Sequence, residues 1–564
     1  MNVSYVTKLA TSYPRTPGFT YVYGTAGFRE NHKVLDAVCV RMGMLAALRT
    51  KSAGSGVGLM VTASHNPVED NGLKAVDPDG GMLARNWESV AVDLVNAEED
   101  QVLQVIEEIA KTMKVHLDGS QSALLGSKVV IGRDTRPHSE RLASLAIKGV
   151  EALGGTVLDI GVVTTPQLHH VVRSGNLKEE EHLASVEGYY TKLSEAFHDL
   201  LDGVSITPSP IIVDAAYGVG GPRFKELLTQ VNREGVMIDA EVRNSPTSDP
   251  NLADEEAEKL NNKLGAEHVQ KGLAFPRKTL KLPDERMIRC CSFDGDADRI
   301  VYYRATDEDK LNLFDGDKIA CLLTFFIQKQ LKALPKSLVE NVSLGCVQTA
   351  YANGASSKYI KSVLNVNAPV TKTGVKHCHH KALEYDIGVY FEANGHGTVL
   401  FQPSFISKVR KELESGRLNH EKHVAAATNI LALEQLINQA TGDAMADLLA
   451  VEAVLLAENL SLDDWNEMYT DLPSRQLKCR VSDRAAITTT DDEARVIEPA
   501  ELQDAIDYAV SQYQHGRAFA RPSGTEDAVR VYAEAADSEM ADALALKVAQ
   551  AIWDHAGGVG ERPH

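Results

Sequence analysis

Short apolar runs broken by glycine, proline and acidic loops recur along this chain, and their spacing predicts alternating strands and helices. The run Gly58 to Val61 stops at Ser64-His65-Asn66-Pro67, the pattern of a buried strand that delivers a loop to a surface. Lys128 to Ile131, the loop Gly132 to Pro137, a helix through Leu142, Leu145, Ile147 and Leu153, and a strand from Thr156 make one β-α-β unit, with Gly154 and Gly155 ending the helix. A second unit starts at Ile211 to Asp214, turns through Gly218, Gly220 and Gly221, and continues as a helix from Arg223 to Gln230. A third contains the helix after Asp315-Gly316-Asp317 and the strands Leu344 to Gln348 and Asp386 to Phe391, with Asp315 read as a helix N-cap.

Residues 98–116 have helical spacing with an acidic face, and Asp70 to Lys74 reads as a turn. The charged stretches 178–200 and 408–422 read as a linker and a surface insertion. From about residue 465 the order changes: Gln476 to Val481, Ala485 to Thr490, a helix from Pro499 to Gln512, Arg530 to Ala535, and a last helix from Ser538 to Trp553. That order predicts a small α+β domain after the β-α-β units.

Composition narrows the class. A chain of 564 residues exceeds one hydrophobic core and implies three to five domains at ~100–200 residues each. No apolar run approaches the ~20 residues that span a bilayer, and Met1-Asn2-Val3-Ser4-Tyr5 lacks the features of a signal peptide, so a cytoplasmic protein is expected. Seven cysteines without a CxxC pair fit that setting, with Cys290 and Cys291 read as packed thiols. A formal charge of −20 argues against nucleic acid or an anionic membrane as partner. Any anionic ligand must therefore be held by local Arg, Lys and backbone dipoles.

Ser64 stands where a sheet of an open α/β protein ends, the position of a ligand crevice, and its hydroxyl can carry a transferred group. Alone, Ser64 and Asn66 fit a simple turn better. Arg29 closes the glycine-rich stretch Tyr23 to Phe28, which suits either an anion or a plain loop, and Lys74 follows the serine loop. Asp294, Asp296 and Asp298 alternate in a glycine-containing loop before Ile300 to Tyr303, so three carboxylates can converge on one hard cation. Arg299 and Ala305 occupy positions where an EF-hand needs glycine and glutamate; Mg²⁺ is the better fit.

Glu392-Ala393-Asn394-Gly395 offers a carboxylate and an amide suited to sugar hydroxyls. Lys372 to His380 holds a His/Cys cluster with no partner cluster at zinc-ligand spacing. Arg521-Pro522-Ser523-Gly524-Thr525, with Arg530 beyond, has the makings of a dianion cradle, and no Walker-A motif occurs. Gly218, Gly220 and Arg223 lack the third glycine of a dinucleotide fingerprint and read as a tight turn.

Taken in order, Ser64 in Thr62-Ala63-Ser64-His65-Asn66-Pro67, Asp294 to Arg299, Glu392 to Gly395, and Arg521 to Thr525 resemble the α-D-phosphohexomutase family over essentially the whole chain. The resemblance implies three related doubly wound α/β domains and a C-terminal α+β domain around a central cleft, divided at 1–182, 183–304, 305–460 and 461–564. It implies that Ser64 is the phosphoserine, that Ser64, Asp294, Asp296 and Asp298 hold one Mg²⁺, and that Glu392, Ala393, Asn394 and Gly374 face the sugar. Arg521, Pro522, Ser523, Gly524, Thr525 and Arg530 would hold the substrate phosphate. His65, Lys74 and Arg29 are the candidates for acid-base work.

Gly132 to Arg136 follows the serine loop, where most of the family has it before, and Asn394 stands where glucose and mannose mutases usually have serine. Both features are like the family's acetylglucosamine branch. Val375 replaces a histidine common after Lys-Thr-Gly in bacterial relatives. The implied reaction interconverts N-acetylglucosamine 6-phosphate and 1-phosphate through a sugar bisphosphate, feeding UDP-N-acetylglucosamine synthesis. Glucose- or mannose-phosphate mutase activity and a phosphoserine-forming phosphatase are the alternatives. The partner is a small phosphosugar, and the chain is expected as a monomer or homodimer.

Overall fold

The computed structural model describes residues 1–24, 27–117, 128–204, 209–233, 236–247, 253–524 and 526–564, in two units. Thr525 and the Thr25-Ala26 part of the glycine-rich loop lie outside the described residues.

One unit comprises Met1–Asp315 with Thr428–Ala457. Its first sheet runs Phe28–Asn31, Asp70–Val76, Val57–Val61, Lys128–Arg133, Thr156–Val162. The last three strands are parallel, and Asp70–Val76 pairs antiparallel on both of its sides. Residues 70–74 are therefore strand rather than turn. Asn71-Gly72 carries turn propensity, but pairing with two neighbours overrides it. Val57–Val61 is buried at every position, as a central strand covered on both faces must be. Behind it, helices Asp36–Ala53 and Ser139–Ala152 touch backbone to backbone: a Cβ on Gly43 would meet Ala146 O at 2.0 Å, and one on Gly149 would meet Val40 O at 2.0 Å.

The second sheet runs Leu311–Phe314, Ile300–Ala305, Arg289–Phe293, Ile211–Asp214, Ala240–Arg243, again three parallel strands extended by an antiparallel pair. The expected linker is mostly a packed helix, Val186–Leu200, because Tyr189, Leu193, Phe197 and Leu200 form an apolar stripe beneath its charges. Tyr189 donates to Asp443 (2.8 Å) in the returning segment. There, helix Ala444–Ala457 is buried from Ala444 to Leu455, Arg289 pairs with its Glu452, and Ala444 N–H donates to Ala297 O (3.0 Å).

The other unit comprises Gly316–Ala427 with Glu458–His564. Its first sheet runs Val370–Thr371, Leu344–Thr349, Ile387–Phe391, Gly397–Phe401, parallel but for the last strand. Charged residues 408–422 span the end of helix Pro403–Glu414 and the start of Glu421–Leu436, mostly exposed. The C-terminal sheet is antiparallel, Ser474–Arg480, Ala528–Glu534, Arg517–Pro522, packed on helices Ala500–Ser511 and Ser538–His555. The short strand Arg517–Pro522 is an element the apolar pattern did not mark, since arginines and a proline occupy three of its positions. All seven cysteines are free and buried, and no helix among the described residues is long and apolar enough to cross a membrane.

Candidate active site

Strand Val57–Val61 carries the chain to Ser64, which is 1% exposed and left-handed at φ 49°. A non-glycine residue in that region persists only where its surroundings over-determine it, and here they do. Ser64 N–H donates to Thr62 Oγ1 (3.0 Å), and Thr62 Oγ1 donates to Asp134 (2.8 Å). Arg136, ion-paired with Asp134, donates to the carbonyls of Ser64 (3.2 Å) and Asn66 (2.7 Å). Asn261 Nδ2 donates to the same two carbonyls at 2.8 and 3.1 Å. Neither Arg136 nor Asn261 stood out as a site residue in the sequence. Asn261 lacks any local motif, whereas Arg136 sits in the conspicuous Gly-Arg-Asp-Thr-Arg stretch.

The acidic loop joins Arg289–Phe293 to Ile300–Ala305 and brings Asp294, Asp296 and Asp298 together, all buried, with one oxygen of each within 4.8 Å of the others. Ser64 Oγ donates to Asp296 Oδ2 (3.0 Å), as does Thr165 Oγ1 (2.6 Å). Lys74 Nζ lies 2.8 Å from Asp296 and 2.9 Å from Asp298. Burial and then the neighbouring Asp298 and Asp296 push the Asp294 carboxyl well above its ordinary range. Burial and Asp298 push Asp296 the same way, but the Lys74 ammonium and hydrogen bonds from Lys74 and Thr165 outweigh them and leave it below the usual value. On Lys74, burial opposes the charge and the two carboxylates more than restore it.

Lys74 thus pairs with two of the three carboxylates, the Arg299 guanidinium stands 3.8 Å from Asp294 and Asp298, and Asp294 Oδ2 and Asp296 Oδ1 accept no hydrogen bond. Buried carboxylate oxygens without hydrogen bonds, beside a serine hydroxyl, form a hard donor set that fits Mg²⁺. Among the described residues this is the one cluster of three or more potential metal ligands; the histidines of helix Val375–Ala382 form none.

The glycine turn after Ile211–Asp214 now has a packing explanation. A Cβ on Gly218 would meet Gly295 O at 2.4 Å, and one on Gly220 would meet Ala297 Cβ at 2.9 Å. Gly295 in turn lies under the serine loop, where a Cβ would sit 2.5 Å from Ser64 O. Serine loop, acidic loop and glycine turn are thus stacked backbone on backbone.

Arg29 donates to Asn66 Oδ1 (3.0 Å) and, more weakly, to Ser64 Oγ (3.4 Å). His65 Nε2 is 3.0 Å from Glu267, which also pairs with Arg299 (2.9 Å) and Lys271. Burial, then the nearby Arg299 charge, lowers His65 to about 4, so its ring is neutral near pH 7 and the contact with ionised Glu267 is a donated N–H. A cavity of about 320 Å³ lined by His65, Asn261, Glu267, His268, Lys271 and Asp294 opens beside them.

In the other unit, Gly374 at φ 120° donates its N–H to Glu392 Oε1 (3.1 Å), and Asn394 Nδ2 lies 3.4 Å from Glu392 Oε2. Asn394 Oδ1 accepts from His396 N–H (2.9 Å), so the loop orients its own side chains. Ala393 contributes its carbonyl to Gly316 N–H at 3.4 Å. Val375 opens the following helix with a buried side chain. Arg521 and Pro522 end strand Arg517–Pro522, and Arg521 stands directly opposite Arg530 on the neighbouring strand. Ser523 is buried and its N–H donates to Ala528 O (2.8 Å); Gly524 follows, exposed. Arg521 Nε is 2.7 Å from Glu493, and Arg530 is half exposed.

Comparison with known proteins agrees with this geometry. Residues 315–460 match the model of domain III of phosphoacetylglucosamine mutase. Residues 27–102 and 94–180 match the α/β/α domain I of phosphoglucomutase/phosphomannomutase, and 477–551 match the C-terminal domain of that group. Phosphoacetylglucosamine mutase of Sus scrofa is 46% identical over 569 residues, covering 100% of this chain and 99% of its own. The N-acetylphosphoglucosamine mutase of Aspergillus fumigatus superposes with a TM-score of 0.90 at 39% identity, covering 98% of each chain. The same mutase in complex with GlcNAc-6P and magnesium superposes with a TM-score of 0.88, also over 98% of each chain. Identity of this degree along the full length shows that the chain belongs to the phosphoacetylglucosamine mutase family, within the α-D-phosphohexomutase superfamily.

Proposed function

We propose that this protein interconverts N-acetylglucosamine 6-phosphate and N-acetylglucosamine 1-phosphate by way of phosphorylated Ser64 and a sugar bisphosphate. The observation that carries the reading is Ser64 Oγ seated on Asp296, within a buried cluster of three carboxylates two of whose oxygens accept no hydrogen bond. Asp294, Asp296, Asp298 and Ser64 would hold Mg²⁺, which supplies electrostatic relief for the oxygens of the transferring phosphoryl group.

The chain's own residues do the rest. The phosphorus bond to Ser64 Oγ breaks as a sugar hydroxyl takes the phosphoryl group, and the hydroxyl proton passes to a base. Lys74 is protonated and engaged with two aspartates, and Arg29 is a guanidinium. His65 suits the role: its N–H toward Glu267 assigns the proton to Nε2, and Nδ1 has no hydrogen-bond partner. The bisphosphate then reverses, and its other phosphate returns to Ser64. Glu392, Asn394 and Gly374 read the sugar, while Arg521, Ser523, Gly524, Thr525 and Arg530 hold the phosphate that is not reacting.

We divide the chain into four domains, 1–182, 183–304, 305–460 and 461–564, that carry these four loops in turn; the family matches at 27–180, 315–460 and 477–551 support a fourfold division, while strand Leu311–Phe314 pairs within the second sheet and helix Ala444–Ala457 packs with the first unit. The test is conversion of N-acetylglucosamine 6-phosphate to the 1-phosphate with free phosphate measured alongside. Stoichiometric product without phosphate release is expected, and release matching substrate loss would make the protein a phosphatase.

A further inference from the structure

Glu493 sits at the tip of the ribbon formed by Thr488–Thr489 and Val496–Glu498, in a left-handed turn at φ 59°. Its backbone N–H donates to Thr490 O (2.9 Å), and its Oε2 accepts from Thr373 N–H (3.0 Å) while lying 2.7 Å from Arg521 Nε. A second contact, Lys372 to Asp491 at 3.3 Å, ties the same tip to the same loop. The Glu493 and Arg521 side chains are 16% and 21% exposed, so this pair is largely shielded from solvent. The carboxylate is held in place from two directions, and its charge falls on the guanidinium assigned to substrate phosphate.

We propose that Glu493 is a resident competitor for Arg521 that keeps the phosphate cradle releasable. The inference rests on the reading of Arg521 as a phosphate ligand. A phosphate arriving at Arg521 meets an anion already installed there, so each binding event costs the cradle part of an existing ion pair. The reaction needs that weakness. One sugar bisphosphate has to leave the cradle by one phosphate and return by the other within each cycle, and a cradle at full strength would hold it. A purely structural role, in which Glu493 aims Arg521 at the ligand, predicts the opposite sign when its charge is removed.

Full-length Glu493→Gln retains an acceptor for Thr373 N–H and loses the charge. KM for N-acetylglucosamine 6-phosphate and the inhibition constant of inorganic phosphate should both fall about tenfold, the scale of one charge-assisted contact, with kcat reduced. A KM that is unchanged or raised overturns the proposal. Arg521→Ala, measured beside it, separates the two levels. If Arg521→Ala leaves both constants unchanged, the cradle reading itself fails. If it weakens both while Glu493→Gln tightens neither, only the competitor role fails. Should the Gln variant lose thermal stability, Glu493→Asp carries the test, because it withdraws the carboxylate from Arg521 and should lower KM in the same direction; no change there also overturns the proposal.

Discussion

Arg521 and Arg530 face each other directly across an antiparallel strand pair. Like charges at such a position destabilise a sheet on their own, and here Glu493 lies 2.7 Å from Arg521 and Glu526 3.7 Å from Arg530. Arg521→Ala should weaken N-acetylglucosamine phosphate and glucose phosphate alike, by ~1.5–3 kcal/mol for a lost charge-assisted contact. Asn394→Ser should instead erode the preference for the acetylated sugar. Values of kcat/KM for both substrates in both variants decide the matter: a change of substrate ratio in Arg521→Ala with none in Asn394→Ser reverses the assignment of the two loops.

Ser64→Ala should abolish turnover while leaving the thermal unfolding midpoint close to that of the parent. Phosphopeptide mapping of active protein should place one phosphoryl group on Ser64. Full activity in the alanine variant, or a phosphate mapped elsewhere, would remove Ser64 from the mechanism.

Asp296→Asn takes one charge from the three-carboxylate cluster that Lys74 and Arg299 face. The variant should need more Mg²⁺ to reach half its maximal rate, and added Mg²⁺ should raise its Tm less than it raises that of the parent. Activity that survives exhaustive chelation would give the triplet another purpose.

Asn261→Ala removes one of two donors from the carbonyls of Ser64 and Asn66, and Gly295→Ala drives a methyl group to 2.5 Å from Ser64 O. The first should lower kcat with little change in KM. The second should destabilise by ~1–3 kcal/mol, since backbone must move to admit the methyl. Circular-dichroism melts and steady-state rates check both, and a Gly295→Ala protein of parental stability would contradict the stacked-loop arrangement.

Asp443 is buried, and although Asn438, Tyr189 and backbone N–H groups oppose the effect, burial raises its carboxyl from 3.8 to about 6. A folded-state value above the unfolded one means that folding is favoured by the protonated form. This group imposes no penalty below pH 4, a growing one between about pH 4 and pH 6, and a constant one above, roughly 3 kcal/mol for a shift of about two units. Asp443→Asn keeps an acceptor for Tyr189 and abolishes that dependence. The Tm of the variant relative to the parent should therefore climb between about pH 4 and pH 6 and level off above; a difference flat across that range would refute the burial argument.

Residues that carry chemistry from within one loop were readable in advance. Asp294, Asp296 and Asp298 occupy five positions of chain, and Glu392 with Asn394 only three, so their convergence follows from local geometry. Arg136 and Asn261 reach the serine loop from 72 and 197 residues away, and no local pattern encodes such a contact. Glu267 was hidden in the same way, as an ordinary residue of an eight-residue helix until His65 and Arg299 are seen against it. The strand Asp70–Val76 and the helix Val186–Leu200 were misread because turn propensity and surface charge were weighed without the neighbours that override them.

The return of helix Ala444–Ala457 into the first unit has a consequence for how the chain matures. Arg289 and the carbonyl of Ala297 wait for partners that follow them by about 150 residues of synthesis. The metal loop cannot reach its final packing while the ribosome is still making the middle of the protein, and the closing contacts are among the costliest in loop entropy. A fragment ending at Asp315 would leave that loop with an uncovered apolar face, so the first unit depends for its folding on a segment made much later in the chain.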